Sequence, residues 1–135
     1  MDAEGIWPIA SDRDVVLARQ KVRDLAREIG FSSSEMALIA TAISELARNI
    51  LQYAGRGEIM LDVLHEGARV GISIIAQDQG PGIPDISLAM QDGYSTGGGM
   101  GLGLPGTKRL MDEFSLASES GKGTTVIAKK WLSHG

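Results

Sequence analysis

The chain has 135 residues, a length typical of one domain, and its 43% hydrophobic and 22% charged residues exclude an intrinsically disordered protein. The formal net charge is −4 and the basic residues do not cluster, so we expect no nucleic-acid groove. The absence of cysteine excludes disulfides and is compatible with a cytoplasmic location. Met1–Glu4 lack both basic charge and an apolar run, and no apolar stretch is long enough to span a membrane, so neither a signal peptide nor a membrane partner is expected.

The first third of the chain predicts one strand followed by two helices. Gly5–Ala10 predicts a short strand, and Pro8 places it at a sheet edge because proline cannot donate a ladder hydrogen bond. Apolar residues at helical spacing predict a first helix over Ser11–Ile29, which a glycine ends. Ser32 and Glu35 have the spacing of a capping box and predict the start of a second helix.

The second predicted helix, which ends near Tyr53, carries the first candidate functional residues. Glu45 and Asn49 fall on one helix face, one turn and ~6 Å apart along the axis. An amide oxygen suits Mg²⁺, which prefers hard oxygen ligands, and a carboxylate beside it suits a base that accepts a proton from a hydroxyl or a water. The alternative is a solvated helix face on which Glu45 pairs with Arg48 or Asn49.

A predicted hairpin leads into the second candidate motif. Its strands are Glu58–Leu64 and Arg69–Gln77, and the second is almost continuously apolar, which indicates a central strand. Asp78 ends this strand, and Gly80 and Gly82 follow it at once. A carboxylate there can accept a hydrogen bond from a donor such as an exocyclic amine, while the glycines allow the backbone to approach a ligand. The alternative is an ordinary glycine turn.

Ser95–Gly106 forms a third candidate motif, with six glycines within ten residues before a predicted helix. Backbone N–H groups of such a loop, together with a helix N-terminus, bind anions, and the glycine content is typical of a mobile lid. The alternative is a flexible surface loop. Gly101–Gly106 matches G-x-G-x-x-G, but a dinucleotide fingerprint should follow a strand, and no P-loop motif occurs. Pro105 suits the first turn of the third helix, which we expect to end near Glu113.

The last predicted elements are the strands Phe114–Ser118 and Thr124–Trp131, joined across Glu119–Gly123. This turn has an ordinary structural interpretation, and in addition the hydroxyl of Thr124 could reach a base. Helices mixed with antiparallel hairpins predict a two-layer α/β sandwich with helices on one face of the sheet. No linker or internal repeat divides the sequence, so residues 1–135 are expected to form one domain.

Taken in chain order, these motifs resemble the four sequence boxes of the GHKL, or Bergerat-fold, ATPases. The corresponding segments are Glu45 with Asn49, Asp78–Gly82, Gly97–Gly103 and Gly123-Thr124. One such motif alone would not identify the family, whereas four motifs in the same chain order are specific for it. The resemblance covers roughly residues 10–132 and implies the Bergerat fold, a mixed and mostly antiparallel sheet with helices on one face.

The match narrows further through the strings SELARNI, QDQGPGIPDI, DGYSTGGGMGLGLPGTKRLMDEFSL and KWL. They look very similar to the switch kinases of the bacterial stressosome, in the anti-sigma-factor kinase group. The resemblance implies ATP and Mg²⁺ as cofactors, Glu45 as general base, Asn49 as magnesium ligand and Asp78 as the adenine reader. The implied ATP-binding residues are Asp78, Gly80, Gly82, Ile83, Thr96, Gly97, Gly98, Gly99, Met100, Gly101, Leu102, Gly103, Lys108 and Thr124.

The same resemblance implies a serine/threonine protein kinase that phosphorylates STAS-domain scaffold and antagonist proteins. Once released, such a kinase activates a PP2C-type phosphatase. The chain lacks the long lid and extra domains of the larger GHKL members, so their clamp-like behaviour is not expected here. Two alternatives stay open: an anti-sigma factor that sequesters a sigma factor with ATP as a ligand, and a stand-alone ATPase with water as acceptor.

Overall fold

A layer of helices covers one face of an antiparallel sheet in the computed structural model, which describes residues 5–81, 103–119 and 121–132. The elements in chain order are β1 (Gly5–Ile9), α1 (Asp12–Ile29), α2 (Ser33–Tyr53), β2 (Gly57–Glu66), β3 (Arg69–Asp78), α3 (Gly103–Leu110), β4 (Glu113–Glu119) and β5 (Gly123–Trp131). The strands lie in the order β1-β2-β3-β5-β4, and every neighbouring pair is antiparallel. The predicted two-layer α/β sandwich is therefore confirmed, as are the edge position of β1 and the central position of β3.

The core forms where the helices meet one face of the sheet. Alternate residues of the central strands point toward the helices, and Ile59 and Leu61 of β2 lie opposite Ala76 and Ile74 of β3. All four are buried, with exposures between 0% and 4%. Full burial of a large aliphatic side chain contributes roughly 1.5–3 kcal/mol, so this row of residues holds the helices to the sheet. The largest fully buried side chains that α2 adds to the core are Ile39, Ile43 and Leu46.

The connection between α1 and α2 follows the sequence closely. Gly30 adopts φ 109° at the end of α1 and donates its N–H to the carbonyl of Ala26 at 3.1 Å. Ser32 and Glu35 form the predicted capping box, in which each side chain accepts from the backbone N–H of the other residue. Because only three residues separate the helices, α1 and α2 lie side by side and run in opposite directions. Among the helices that the structure describes, none is long and apolar enough to cross a membrane.

Two predicted element boundaries are wrong. The third helix does not continue to Glu113: α3 ends at Leu110 and β4 begins at Glu113. The chain leaves the helix early because the backbone N–H of Asp112 already donates to the carbonyl of Lys129 on β5, at 2.9 Å. The first hairpin is also longer than predicted, since its strands pair as far as Glu66 and Arg69 and leave a two-residue turn.

The start of β5 lies directly against the end of β3. Gly123 has φ 98°, and a Cβ atom there would overlap the carbonyl oxygen of Asp78 and lie 2.8 Å from the Cα of Gln79. Gly121, in the same turn, has φ 80°, but its position has no heavy atom within 4 Å of a Cβ. Both positions favour glycine through their backbone conformation, and only Gly123 also requires it for packing.

We expect Gly123→Ala to lower the free energy of unfolding by about 1–3 kcal/mol more than Gly121→Ala, since it adds a backbone overlap to the same kind of strain. Denaturant unfolding of the two variants and the unsubstituted protein measures the difference. Equal losses for the two alanine variants would show that the close approach of β5 to Asp78 does not constrain the fold.

Candidate functional site

A narrow cleft lies between α2, the end of β3 and the beginnings of β5 and α3. Three polar residues face it, namely Asn49 from α2, Asp78 from β3 and Thr124 from β5, and the other walls are apolar or aromatic side chains. The free volume between these walls is about 10 Å³, room for roughly one water molecule. An apolar slot with a few convergent polar groups is typical of a small-molecule site, and here the walls must separate to admit a ligand.

Asp78 is placed in the cleft by the alternation of β3. Asp78 lies two and four residues after Ala76 and Ile74 on the same strand, so its side chain lies on the same helix-covered face of the sheet. It is 8% exposed. One carboxylate oxygen, Oδ1, accepts the backbone N–H of Gly80 at 3.0 Å. The other oxygen accepts no hydrogen bond from the part of the chain that the structure describes. One oxygen therefore orients the carboxylate while the other is available to a donor on a ligand.

Thr124 lies directly opposite Asp78 in the β3–β5 register and is 7% exposed. Its Oγ1 is 2.8 Å from the Oγ of Ser118, which donates to the carbonyl of Gly123 at 3.2 Å. Either hydroxyl can donate in this contact, and in both cases the Thr124 oxygen keeps at least one lone pair for a ligand. The sheet thus offers two acceptors side by side, an arrangement that suits a ligand carrying an amine.

Asn49 contributes an unpaired polar atom to the cleft. Its Nδ2 is buried and has no hydrogen-bond partner among the described residues. A buried polar group without a partner costs about 1–3 kcal/mol, so it marks a position where a ligand atom fits. The amide donor suits a phosphate oxygen, and half a turn about the last side-chain bond would present Oδ1 to a metal. Mg²⁺ retains several waters, so one amide ligand beside phosphate oxygens fits its chemistry although no described cluster of three His, Cys, Asp or Glu exists.

Glu45 lies one helical turn before Asn49 but faces a different cavity. Its side chain lines a groove between α1 and α2 together with Arg48 and two arginines of α1. Glu45 is 7% exposed, and its Oε2 is 3.7 Å from Nη1 of Arg48. The alternative predicted a solvated helix face with Glu45 paired to Arg48. The pairing with Arg48 is present, but the Glu45 carboxylate is buried and not solvated. Helix α2 directs Asn49 into the cleft and Glu45 into the groove.

Two further predicted residues lie apart from the cleft. A Cβ at Gly80 would be 2.5 Å from the Cβ of Ala54, so glycine is required there for packing against the end of α2. Lys108 is exposed on α3 and does not line the cleft. A nucleotide contact by either residue remains a prediction. Gly103 begins α3. The predicted residues outside the described part of the chain are Gly82, Ile83, Thr96, Gly97, Gly98, Gly99, Met100, Gly101 and Leu102.

Sequence reasoning missed the residues that support this site from other elements. Ser118, which orients Thr124, lies opposite it in the β4–β5 register, and only that pairing brings the two hydroxyls together. Arg19 and Arg23 of α1 share the groove with Glu45. Their i, i+4 spacing places both on one side of a helix and was the only available signal.

Comparison with known proteins identifies the family of the chain. Residues 9–130 match the histidine kinase-like ATPase domain family. The serine/threonine-protein kinase RsbT of Bacillus subtilis is 56% identical over 132 residues, which cover 98% of this chain and 99% of that protein. An anti-sigma F factor of Thermoanaerobacter is 30% identical over 130 residues, covering 92% of this chain and 90% of that protein.

Solved structures show the same fold at low sequence identity. The RsbU and RsbW domains of a Mycobacterium tuberculosis protein superpose with a TM-score of 0.64 at 22% identity, over 97% of this chain and 33% of that one. The catalytic domain of the histidine kinase ThkA gives a TM-score of 0.53 at 14% identity, over 93% and 95% of the two chains. Given the family match and the 56% identity over nearly the whole length, the chain belongs to the histidine kinase-like ATPase family and, within it, to the RsbT family of serine/threonine-protein kinases.

Proposed function

We propose that the chain is a cytoplasmic, Mg²⁺- and ATP-dependent serine/threonine kinase of a partner-switching stress pathway. Its acceptors are STAS-domain scaffold and antagonist proteins, and after release from them it activates a PP2C-type phosphatase. One observation carries this proposal. On α2, Asn49 faces a cleft that Asp78 and Thr124 also line, whereas Glu45 faces a separate groove. Under this proposal, ligand binding and proton transfer belong to neighbouring turns of one helix.

The cleft residues support binding of an adenine nucleotide. The free oxygen of Asp78 and the lone pairs of Thr124 suit the exocyclic amine of adenine, and the apolar walls suit its ring faces. Asn49 faces the same cleft from α2, and its unpaired amide suits phosphate oxygens or the Mg²⁺ that they hold. ATP supplies the γ-phosphoryl group. Asp78, Thr124 and Asn49 would together hold the ATP molecule in one orientation.

Glu45 supports transfer to a hydroxyl on another protein. A serine hydroxyl is a poor nucleophile at neutral pH, and a carboxylate within reach can orient it and accept its proton. Glu45 is buried, and its ion pair with Arg48 is long at 3.7 Å, so the carboxylate oxygens keep lone pairs for a hydroxyl. The 56% identity to a protein named as a serine/threonine kinase supports a protein acceptor over water.

The anti-sigma alternative rests on relatives of about half that identity. Several anti-sigma F factors are 28–31% identical to this chain. Both functions need a nucleotide cleft, so Asp78, Thr124 and Asn49 do not distinguish them. Glu45 does, because sequestration of a sigma factor requires no proton acceptor.

Asp78→Asn should weaken ATP binding at least ~10-fold, since a hydrogen bond to a charged group is worth roughly 1.5–3 kcal/mol. The asparagine can still accept the Gly80 N–H through its oxygen, while its amino group faces the adenine amine as a second donor. Calorimetric titration with ATP and Mg²⁺ measures the affinity, and Asp62→Asn, at an exposed position on β2, is the control. An unchanged affinity in folded Asp78→Asn would remove Asp78 from the site.

Asn49→Ala should lower ATP affinity more strongly with Mg²⁺ than without it, because the amide acts through the metal. Paired titrations with Mg²⁺ and with a chelator measure the two losses. Gln52→Ala removes an exposed amide from the next turn of α2 and should change neither affinity. Equal losses for Asn49→Ala under both conditions would contradict the metal-ligand role and leave a direct phosphate contact.

Glu45→Gln should bind ATP and the protein acceptor normally but phosphorylate the acceptor at least ~100-fold more slowly, because it keeps the shape of the side chain and removes the proton acceptor. Labelled ATP and a purified STAS-domain protein provide the assay, and the product should survive acid, as phosphoserine and phosphothreonine do. Glu28→Gln makes the same chemical change at an exposed position on α1.

Transfer at the unsubstituted rate by Glu45→Gln would refute the assignment of the base. Tight binding of a sigma factor by the unsubstituted protein, without labelling of any STAS-domain protein, would instead favour the sequestering function.

A further inference from the structure

The sheet has a second face, which none of the described helices covers. Successive residues of a strand point to opposite sides of a sheet, and the side that carries Ile59, Leu61 and Ile74 lies under the helices. The residues between them point away from the helix layer. We call this other side of the sheet, which includes Met60 and Ile75, the open face.

The strand register arranges the open face in rows that cross the sheet. The middle row takes one residue from each strand, and its members are Ile6, Met60, Ile75, Ile127 and Ser115. Four of these five residues are large and apolar, and none of the four packs against the core. Ile6 is 59% exposed, and the other three apolar residues are partly exposed. An apolar row in the centre of an uncovered sheet face marks an interaction surface.

Two charges of opposite sign lie on the open face in the row next to the apolar one. Asp62 on β2 and Lys129 on β5 both lie opposite Ser73 of the strand between them. Because neighbouring strands are about 4.8 Å apart, the two charges are roughly 10 Å apart and do not form an ion pair. Neither has an ion-pair partner within the described residues. Glu113, which lies opposite Lys129, accepts a hydrogen bond from Nε1 of Trp131 at 2.6 Å.

A two-fold axis along β3 would bring the matching features of two copies together. β3 is the middle strand of the sheet, with β2 on one side and β5 on the other. If two open faces stack about an axis parallel to β3, then β2 of each copy lies over β5 of the other, and residues of the same row meet. Asp62 then faces Lys129 of the second copy, and the same contact occurs twice by symmetry. In the apolar row, Met60 faces Ile127 of the second copy and Ile75 faces itself.

The charges disfavour the other two-fold stacking of the same faces. An axis that runs along the apolar row, across the strands, would place the row of Asp62 over the row on the far side of the apolar one. The β2 residue of that far row is Glu58, so two carboxylates would face each other at two symmetric positions. Like charges in direct opposition are destabilising. The open face is therefore complementary to itself when the axis follows β3.

The open face is also large enough for a dimer interface. Five strands about 4.8 Å apart, crossed by four rows about 6.7 Å apart, give a flat area of roughly 600 Å². The relief of the side chains raises the accessible area toward the ~800 Å² per partner that is typical of a stable interface. Stacking through this face leaves the helix layer uncovered, so the cleft and the groove stay accessible in both copies.

We propose that the open face is the interface of a homodimer in which two sheets stack about a two-fold axis along β3. Ile75 lies at the axis, and Asp62 of each copy pairs with Lys129 of the other. The inference goes beyond the proposed kinase function and does not depend on it, since both cavities lie on the opposite side of the sheet.

The first experiment measures self-association by sedimentation velocity over the micromolar range. The unsubstituted protein should form a dimer, and Ile75→Lys should weaken it at least ~10-fold because two lysines then meet at the axis. Leu17→Lys makes the same chemical change on α1, at a position that is 44% exposed and away from the sheet, and should leave the dimer intact. Calorimetric titration of Ile75→Lys with ATP should give the unsubstituted affinity, which shows that the variant is folded.

The second experiment tests which residues meet. Asp62→Lys and Lys129→Asp should each weaken self-association at least ~10-fold, because each change replaces two attractive contacts by two repulsive ones. An equimolar mixture of the two variants should dimerise again. In the mixed dimer, the introduced lysine faces the introduced aspartate, and the native Lys129 faces the native Asp62. Native mass spectrometry of the two variants, one of them isotope-labelled, distinguishes the mixed dimer from the two homodimers.

Three outcomes would overturn the proposal. The unsubstituted protein could remain monomeric up to millimolar concentration, or Ile75→Lys could dimerise as tightly as Leu17→Lys. A mixture of Asp62→Lys and Lys129→Asp that forms no mixed dimer would equally rule out the pairing about β3. Recovery of the dimer in the mixture alone would confirm the axis, whatever the kinase assays show.

Discussion

The two-residue period of β3 places a carboxylate in line with the hydrophobic core. Ile72, Ile74 and Ala76 point toward the helices, and Asp78 continues the same series at the end of the strand. The carboxylate is therefore held beneath α2, where a charge is costly unless hydrogen bonds or a ligand satisfy it. The Gly80 N–H satisfies one oxygen, and the close approach of Gly123 keeps β5 tight against this point. The position of the cleft follows from this arrangement.

Helix α2 carries residues of both cavities, Asn49 in the cleft and Glu45 in the groove. Its core side is anchored by fully buried residues such as Ile43 and Leu46, which fixes the rotation of the helix about its axis. With that rotation fixed, Glu45 and Asn49 share one face of the helix, and the elements packed beside that face place Asn49 in the cleft and Glu45 in the groove next to α1. The proposed function would bring the nucleotide to the Asn49 side of this helix and the acceptor hydroxyl to the Glu45 side.

Two polar residues of the site lower the free energy of unfolding. Asn49 leaves a buried amide group without a partner among the described residues, and Glu45 is a buried carboxylate whose nearest cation is 3.7 Å away. A buried amide without a partner and a buried carboxylate with a distant cation are each unfavourable, and burial of the apolar core compensates for both. Ligand binding would supply the missing partners, which is the physical reason to associate these residues with function and not with folding.

Much of the secondary structure was already determined by the local sequence. The capping box at Ser32, the αL glycine after α1 and the alternation of the hairpin strands depend on interactions within a few residues, so they could be predicted. The four motifs also indicated the family and the residues Asp78, Asn49 and Thr124 that the structure brings to one cleft. The end of α3 was misplaced because a backbone hydrogen bond to Lys129, distant in sequence, interrupts the helix.

The tertiary structure decided how these residues are distributed and which others join them. Glu45 and Asn49 lie on one helix face in the sequence, but only the packing of α1 against α2 assigns Glu45 to a separate groove. Arg19 and Arg23 join Glu45 through that packing, across more than twenty residues of chain. The structure gives Gly80 a packing contact with Ala54 that the sequence did not predict, and its contact with a nucleotide stays a prediction. Helical and strand periods fix only which side chains share a face, and contacts between elements depend on the fold as a whole.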